Sequence, residues 1–401
     1  MSDSNRRQAN LPLLGVKVVD LGQYIAGPGA AMVLCELGAD VIKVEPLSGD
    51  RARHIGSYGK AMIRAYNRGK RSLAVDLRDP RGAEAVMRLI SRSDVVIQNL
   101  RPGVVEKLGL GPLQVREKFP NVIYLSISGF GTRGPSRDRP GYDIAAQAES
   151  GLMSVTGEPA RPPQKVGVPI VDSATAHLGA QAVLAALFRR ERGGSGETIE
   201  TSLLEVALHL QAPTWSEFLY GGPEPTQFGD GQPNNAPAAD LVRTRDGYIV
   251  LSAYTEDHWA RFCRLMGREE LITDPRLCTN AKRVQNRAVL GQVLHECLAG
   301  MDSDDCVRLL GQNQIVAGVV RTYSQVLASA DLSASGMLVE AKTKEGGPGY
   351  LALGLPYSLE SVPRNAPSAT PRVGADSDVL LAEVGYLENE VEALRAAGVI
   401  A

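Results

Sequence analysis

The stretch Gly15–Pro46, GVKVVDLGQYIAGPGAAMVLCELGADVIKVEP, decides the fold. An apolar run ends at Gly22, Gly27-Pro28-Gly29 opens a helix, and a second apolar run ends on Glu45, giving a strand–helix–strand unit. Pro28 suits the first turn of the helix, where its missing N–H costs nothing. Such a unit places the chain in the α/β class. The glycines fall at positions 22, 27 and 29 rather than in the order G-x-G-x-x-G, so the loop lacks the cradle that a dinucleotide pyrophosphate requires.

Outward from this unit the alternation continues. Asn67–Pro80, NRGKRSLAVDLRDP, sets Arg68, Lys70, Arg71 and Arg78 around a short strand and predicts a cationic, phosphate-binding edge. A helix is expected over Arg81–Ser91 and a strand over Asp94–Gln98. The turn Asn99-Leu100-Arg101-Pro102-Gly103 then falls where open α/β sheets carry ligands, with Lys107 one helical turn later. NVIYLSISGFG (Asn121–Gly131) reads as a further strand, and Tyr142 and Asp143 stand where a polar loop enters a helix. Val166–Arg190, VGVPIVDSATAHLGAQAVLAALFRR, reads as a short extended segment followed by a long helix. On position alone Asp172 is expected as its N-cap, held ionised by the helix N-terminus. ETIETSLL (Glu197–Leu204) is a further strand or a helix start.

Between Tyr220 and Asp240 the composition turns to Gly, Pro, Asn and Gln, which marks a linker or a lid. LVRTRDGYIVLSA reads as a hairpin turning at Asp246-Gly247, and helices follow through Ala330. Strand-like residues return over Pro348–Glu360, and two short helices over Asp376–Gly398 belong with the first domain. The expected organisation is therefore a large α/β domain over residues 1–220, a smaller domain with the glycine-rich loop over 221–335, and a return to the large domain over 336–401.

At 401 residues, 44% hydrophobic and 22% charged, the chain can bury a full-sized core in two domains. A formal net charge of −2 implies no bulk attraction to nucleic acid or to an anionic membrane. The five cysteines are scattered without a C-x-x-C pair, which fits a reducing cytoplasm and neither a disulfide framework nor a zinc site. No signal-peptide core or uninterrupted apolar run of transmembrane length is evident. The five histidines have no ligand-like spacing, so no metal site is expected, and neither Ser128 nor Ser173 sits in G-x-S-x-G. That leaves carboxylate chemistry. A lone Asp can attack an activated acyl group and form a mixed anhydride, provided it is ionised and shielded from water.

VKVVDL…AGP…LGADVIKVEP, NRGKRSLAVDL, NLRPGVVEKLGL, SISGFG…RPGYD…SGLM and VPIVDSATAHLGAQAVLAALFRR together resemble the class III coenzyme A transferases, the formyl-CoA and carnitine CoA-transferase family. The ordered match runs over most of residues 12–250. The resemblance implies a Rossmann-like large domain built from both chain ends, a smaller α+β middle domain, and two protomers interlocked as a homodimer. It places the nucleophile on Asp172 and the contacts of coenzyme A on Val75, Arg78, Asn99, Leu100, Lys107 and Tyr142. The family's glycine loop matches FGDGQP, with Gly229 and Gly231 flanking Asp230. Coenzyme A and its thioesters then enter as substrates, with no permanently bound cofactor, and the partners are an acyl-CoA donor, such as succinyl-CoA, and a small carboxylic or dicarboxylic acid.

Two departures from the family pattern stand out. Ile25 occupies the place of a Gln, which speaks against an oxalate-like substrate. Pro46 stands where an adenine-stacking Arg is expected, so Arg51 or Arg53 is a candidate replacement. The competing readings are an α-methylacyl-CoA racemase-like enzyme, which would need a His where this chain has Tyr142, and a non-catalytic acyl-CoA-binding protein.

Overall fold

The computed structural model describes residues 11–159, 161–231, 239–253, 255–343, 348–360 and 368–401. The chain forms two compact units, one of residues 1–152, 166–217 and 331–401, the other of residues 153–165 and 218–330.

The first unit is built on six parallel strands: β1 (Lys17–Asp20), β2 (Asp40–Glu45), β3 (Arg71–Ala74), β4 (Val95–Gln98), β5 (Ile123–Ser128) and β6 (Thr198–Ser202). Their order is β3-β2-β1-β4-β5-β6. Side chains alternate across each strand, so β1 sends Val18 to one core and Val19 to the other. On Val18's side, the helices Ala26–Glu36 and Ile170–Glu191 cover Val41, Val95, Ile97, Ile123 and Leu125. On Val19's side, the helix Pro80–Ile90 covers Ile42, Val44, Leu73, Val96 and Tyr124. The last residues of the chain join this second core through Leu380, Leu381, Leu394, Val399 and Ile400. Both helix-covered faces are why the strands read as continuous apolar runs.

Burial of apolar surface explains the long helix Ile170–Glu191. It is long and apolar enough by composition to cross a membrane, yet its Val171, Ala176, Ala180, Val183 and Leu187 are buried in the first unit's core. Small residues let it approach the Ala26–Glu36 helix closely: a Cβ added at Gly29 would stand 2.7 Å from the Ala176 Cβ. The expected extended segment before Asp172 is shorter than the sequence suggests. Ile170 and Val171 are already helical, because Pro169, with φ −74°, presets the turn immediately before them.

The second unit carries an antiparallel sheet of β7 (Ala239–Arg243), β8 (Tyr248–Ser252) and β9 (Val316–Val319). β7 and β8 form the hairpin read from the sequence, whereas β9 falls in a region expected to be helical. Helices Glu256–Leu265, Arg287–Leu298 and Ser303–Gln312 pack Trp259, Phe262, Leu290, Leu294 and Leu310 into its core. Residues 153–165, expected within the first domain, cluster here instead, since the Thr156 carbonyl accepts from the Gln227 amide and the Gly157 carbonyl from the Gly229 N–H. The strand expected over Pro348–Glu360 is β11 (Tyr350–Leu353), paired in the first unit with β10 (Leu338–Ala341).

Substituting Gly29→Ala is expected to lower unfolding stability by about 1–3 kcal/mol, because Ala176 lies on a packed helix and cannot yield. Denaturant titration would show a lower midpoint at an unchanged slope.

Candidate active site

The strand order reverses between β1 and β4, and a crevice opens beyond their carboxyl ends. Asn99, just after β4, closes this point: its side-chain oxygen accepts from the Gln23 N–H at 2.7 Å and its amide donates to the Gln23 carbonyl at 2.9 Å. A side chain at Gly27 would crowd it, the nearest Asn99 atoms lying 3.2 Å from a Cβ there.

The next residue, Tyr24, is held at φ +65°, a conformation that bulky residues avoid. A buried ionic network accounts for it. Lys70 donates to Asp20 at 2.7 Å and to the Pro28 carbonyl at 2.8 Å. Lys43 donates to Asp50 at 2.9 Å and to the Gly22 carbonyl, and Asp20 accepts from the Gly22 N–H. Asp50 in turn accepts from the N–H groups of Tyr24 and Ala52. All four charged side chains are buried, so each needs its partner.

The cavity beside this turn measures about 400 Å³ and is lined by Gln23, Tyr24, Arg51, Asn99, Leu100, Arg101, Tyr142 and Asp172, among others. Tyr24 and Tyr142 meet edge to face, ring centroids 5.7 Å apart. Burial, and then the neighbouring Tyr142, raise the Tyr24 hydroxyl's pKa, while Arg51 opposes the rise. Among the described residues, Arg51 and Arg101 have no carboxylate partner.

Asp172 is the third helical residue of Ile170–Glu191 rather than its N-cap. The helix N-terminus is closed from outside by Asp143, whose Oδ1 accepts from the N–H of Val171 at 2.8 Å and of Asp172 at 3.1 Å. The Gln147 amide holds the other Asp143 oxygen, and its carbonyl accepts from the Val166 N–H. The surroundings of Asp172 oppose the ionisation that its place in the helix was expected to favour. Burial, and then the Asp143 charge, push the Asp172 carboxyl up to about 7.

The structure thus gathers four of the sequence-predicted site residues, Asn99, Leu100, Tyr142 and Asp172, around one cavity. Val75, Arg78 and Lys107 do not line it. Val75 is buried and bridges Ile400, Arg78 grips Asp76 at 2.9 Å, and Lys107 is exposed. The expected cationic edge is likewise neutralised within the fold, as Arg68 pairs with Glu36, Lys70 with Asp20, and Arg71 with Asp40 and Glu383. Arg53, one candidate for adenine, is held by Glu45 and the Pro371 carbonyl, and the other, Arg51, lines the cavity that holds Asp172. Gly229 and Gly231 belong to the second unit. Gly229 has φ +74° beside Glu158, and Gly231 lies against Arg287, which pairs with Asp240 and covers the Phe228 ring. Reading the sequence overlooked Tyr24 and the role of Asp143, for which the only signal was an Asp at the start of its own helix.

The family model described as CoA-transferase family III matches residues 13–377. The chain belongs to CoA-transferase family III. It is 38% identical over 337 residues to a probable fatty acyl-CoA transferase of Mycobacterium tuberculosis, covering 79% of this chain and 84% of that protein. It is also 33% identical over 401 residues to a succinate–glutarate CoA-transferase of Agrobacterium fabrum, covering 97% and 99%. A CAIB/BAIF family protein from Brucella suis has a similar structure, with TM-score 0.84 and 35% identity, over 94% of this chain and 100% of that one. As a class III CoA-transferase, the chain takes CoA thioesters as substrates and passes coenzyme A to carboxylates.

Two outcomes test this geometry. An Asp whose carboxyl titrates near 7 in the fold and near 3.9 when unfolded penalises the folded state increasingly from pH 4 to pH 7 and fully above it. Asp172→Asn is therefore expected to stabilise the protein at pH 8 by at most about 4 kcal/mol, and not at pH 4, in paired thermal melts. Lys43→Met leaves Asp50 and Asp20 underpaired and is expected to cost about 3–5 kcal/mol by denaturant unfolding.

Proposed function

We propose that this CoA-transferase works through a covalent intermediate on Asp172, moving coenzyme A from an acyl-CoA donor to a small carboxylic acid, with a dicarboxylic acid as the best-matched acceptor. One observation carries the reading: an Asp without a hydrogen-bond donor on its side chain, among the described residues, lies in a cavity that also holds Arg51 and Arg101, neither of them paired with a carboxylate among those residues.

The ionised Asp172 attacks the thioester carbonyl, the C–S bond breaks, and the coenzyme A thiolate leaves an acyl-aspartyl anhydride. The thiolate then attacks the Asp172 carbonyl, releasing the donor acid and forming an aspartyl-CoA thioester. The acceptor carboxylate attacks that thioester, and the freed thiolate takes the acceptor acyl group, restoring Asp172. No net proton or electron is required. Asn99, Leu100 and Tyr142 would meet the coenzyme near its thiol. Arg51 and Arg101 suit the distal carboxylate of a dicarboxylic acceptor, since a guanidinium pairs bidentately with a carboxylate. The Agrobacterium relative, named for succinate and glutarate, supports a dicarboxylate and succinyl-CoA. A racemase is disfavoured because no histidine lines the cavity and position 142 is Tyr. The interlocked homodimer, the closure of the Gly229–Gly231 loop over the intermediate, and a reducing cytoplasmic setting for the free cysteines belong to the same proposal.

With labelled acid and acyl-CoA, Asp172→Ala is expected to lose at least about 10³-fold in kcat. Hydroxylamine is expected to mark Asp172 in the wild type alone. Transfer undiminished in Asp172→Ala would overturn the mechanism and leave an acyl-CoA-binding protein as the alternative. Across a panel of mono- and dicarboxylic acceptors, Arg51→Gln is expected to raise KM for dicarboxylates by about 10-fold or more and to spare monocarboxylates.

A further inference from the structure

The Asp143 carboxylate is 9% exposed, and among the described residues its hydrogen bonds serve one task. One oxygen takes the N–H groups of Val171 and Asp172, and the other takes the Gln147 side-chain amide, whose own oxygen anchors Val166. Asp143 thus clamps both the backbone of Asp172 and the strand of chain leading into its helix. An asparagine or serine would cap a helix start as well, without charge. A buried carboxylate here is the costlier choice, because its charge opposes ionisation of Asp172.

We propose that Asp143 is a positioning residue for the reaction at Asp172: it fixes the first turn that aims the nucleophile, and its negative charge favours the acylated, uncharged form of Asp172 over the free carboxylate. The inference rests on the reading of Asp172 as nucleophile. When Asp172 attacks the thioester carbon, its charge passes to the departing thiolate, and the repulsion from Asp143 is relieved in the anhydride and in the aspartyl-CoA thioester. The same repulsion makes Asp172 more basic and so a better nucleophile once ionised. The other groups around Asp172 are the uncharged Tyr24, Asn99 and Tyr142 and the cations Arg51 and Arg101, so Asp143 supplies the one negative charge among the described neighbours.

Asp143→Asn keeps an oxygen for the two N–H groups and removes the charge, and Asp143→Ala removes both. With carboxyl-labelled aspartate, the Asp172 carbon signal, assigned by its loss in Asp172→Asn, can be titrated by NMR without any substrate. The expected result is a midpoint in Asp143→Asn lower than in the wild type by up to about one pH unit, since burial remains as the larger cause. The acid limb of kcat/KM is expected to move with it, and the fraction of enzyme trapped as covalent adduct to fall by up to about tenfold. Amide exchange at Val171 and Asp172 is expected to accelerate in Asp143→Ala and to stay slow in Asp143→Asn. An Asp172 midpoint unmoved in Asp143→Asn overturns the proposal. Transfer surviving in Asp172→Ala overturns instead the reading on which it rests, so the two failures are told apart.

Discussion

The pairing of two buried lysines with two buried aspartates, Asp20 and Lys43 on β1 and β2 and Asp50 and Lys70 in the loops beside them, is the constraint on which the candidate site depends. Asp20 and Asp50 are fully buried, as are Lys43 and Lys70. A pair of this kind adds little net stability, since desolvation consumes most of the attraction. Its effect is to dictate geometry. Each charge also takes a backbone group of the turn after β1 or of the helix it opens: the Gly22 N–H, the Gly22 carbonyl, the Pro28 carbonyl and the Tyr24 N–H. The turn cannot relax without stranding a buried charge, and this holds Tyr24 in its left-handed conformation against its steric cost.

Asn99 then ties that turn to the end of β4. The two loops on either side of the topological reversal become one wall, and a cavity can exist there without collapsing. On the opposite side, the Ile170–Glu191 helix is fixed along its length by small residues packed on the Ala26–Glu36 helix, and at its start by Asp143. The Asp172 carboxylate, the nucleophile we propose, therefore sits on a rigid element between two rigid walls, which is where a site of this kind gains its precision. The cavity presents a carboxylate and cationic side chains, the complement of an acyl thioester and an acid.

Much of the architecture was legible in the sequence. Gly15–Pro46 announces its strand, helix and strand because parallel strands covered on both faces must be apolar throughout, and the Gly-Pro-Gly opening marks the helix. The position of Asp172 near the head of a long helix was legible too, as were Asn99, Leu100 and Tyr142 as residues after strands. The cations around β3 misled because a charge in a sequence carries no record of its partner. Arg68, Lys70 and Arg71 are committed to carboxylates 32, 50 and 31 positions earlier in the chain.

The sequence by itself determined the α/β class and the family, since each follows from local periodicity or from short motifs in order, and the same motifs single out Asp172 as the candidate carboxylate. Only the tertiary structure decided which groups oppose the ionisation of that carboxylate. Local position argued for a helix dipole holding Asp172 charged. The fold instead buries it, hands the N–H groups of its first turn to Asp143, and places a second negative charge beside it. Desolvation and charge pairing depend on what lies within a few ångströms in space, and Asp143 and Asp172 are 29 residues apart in the chain.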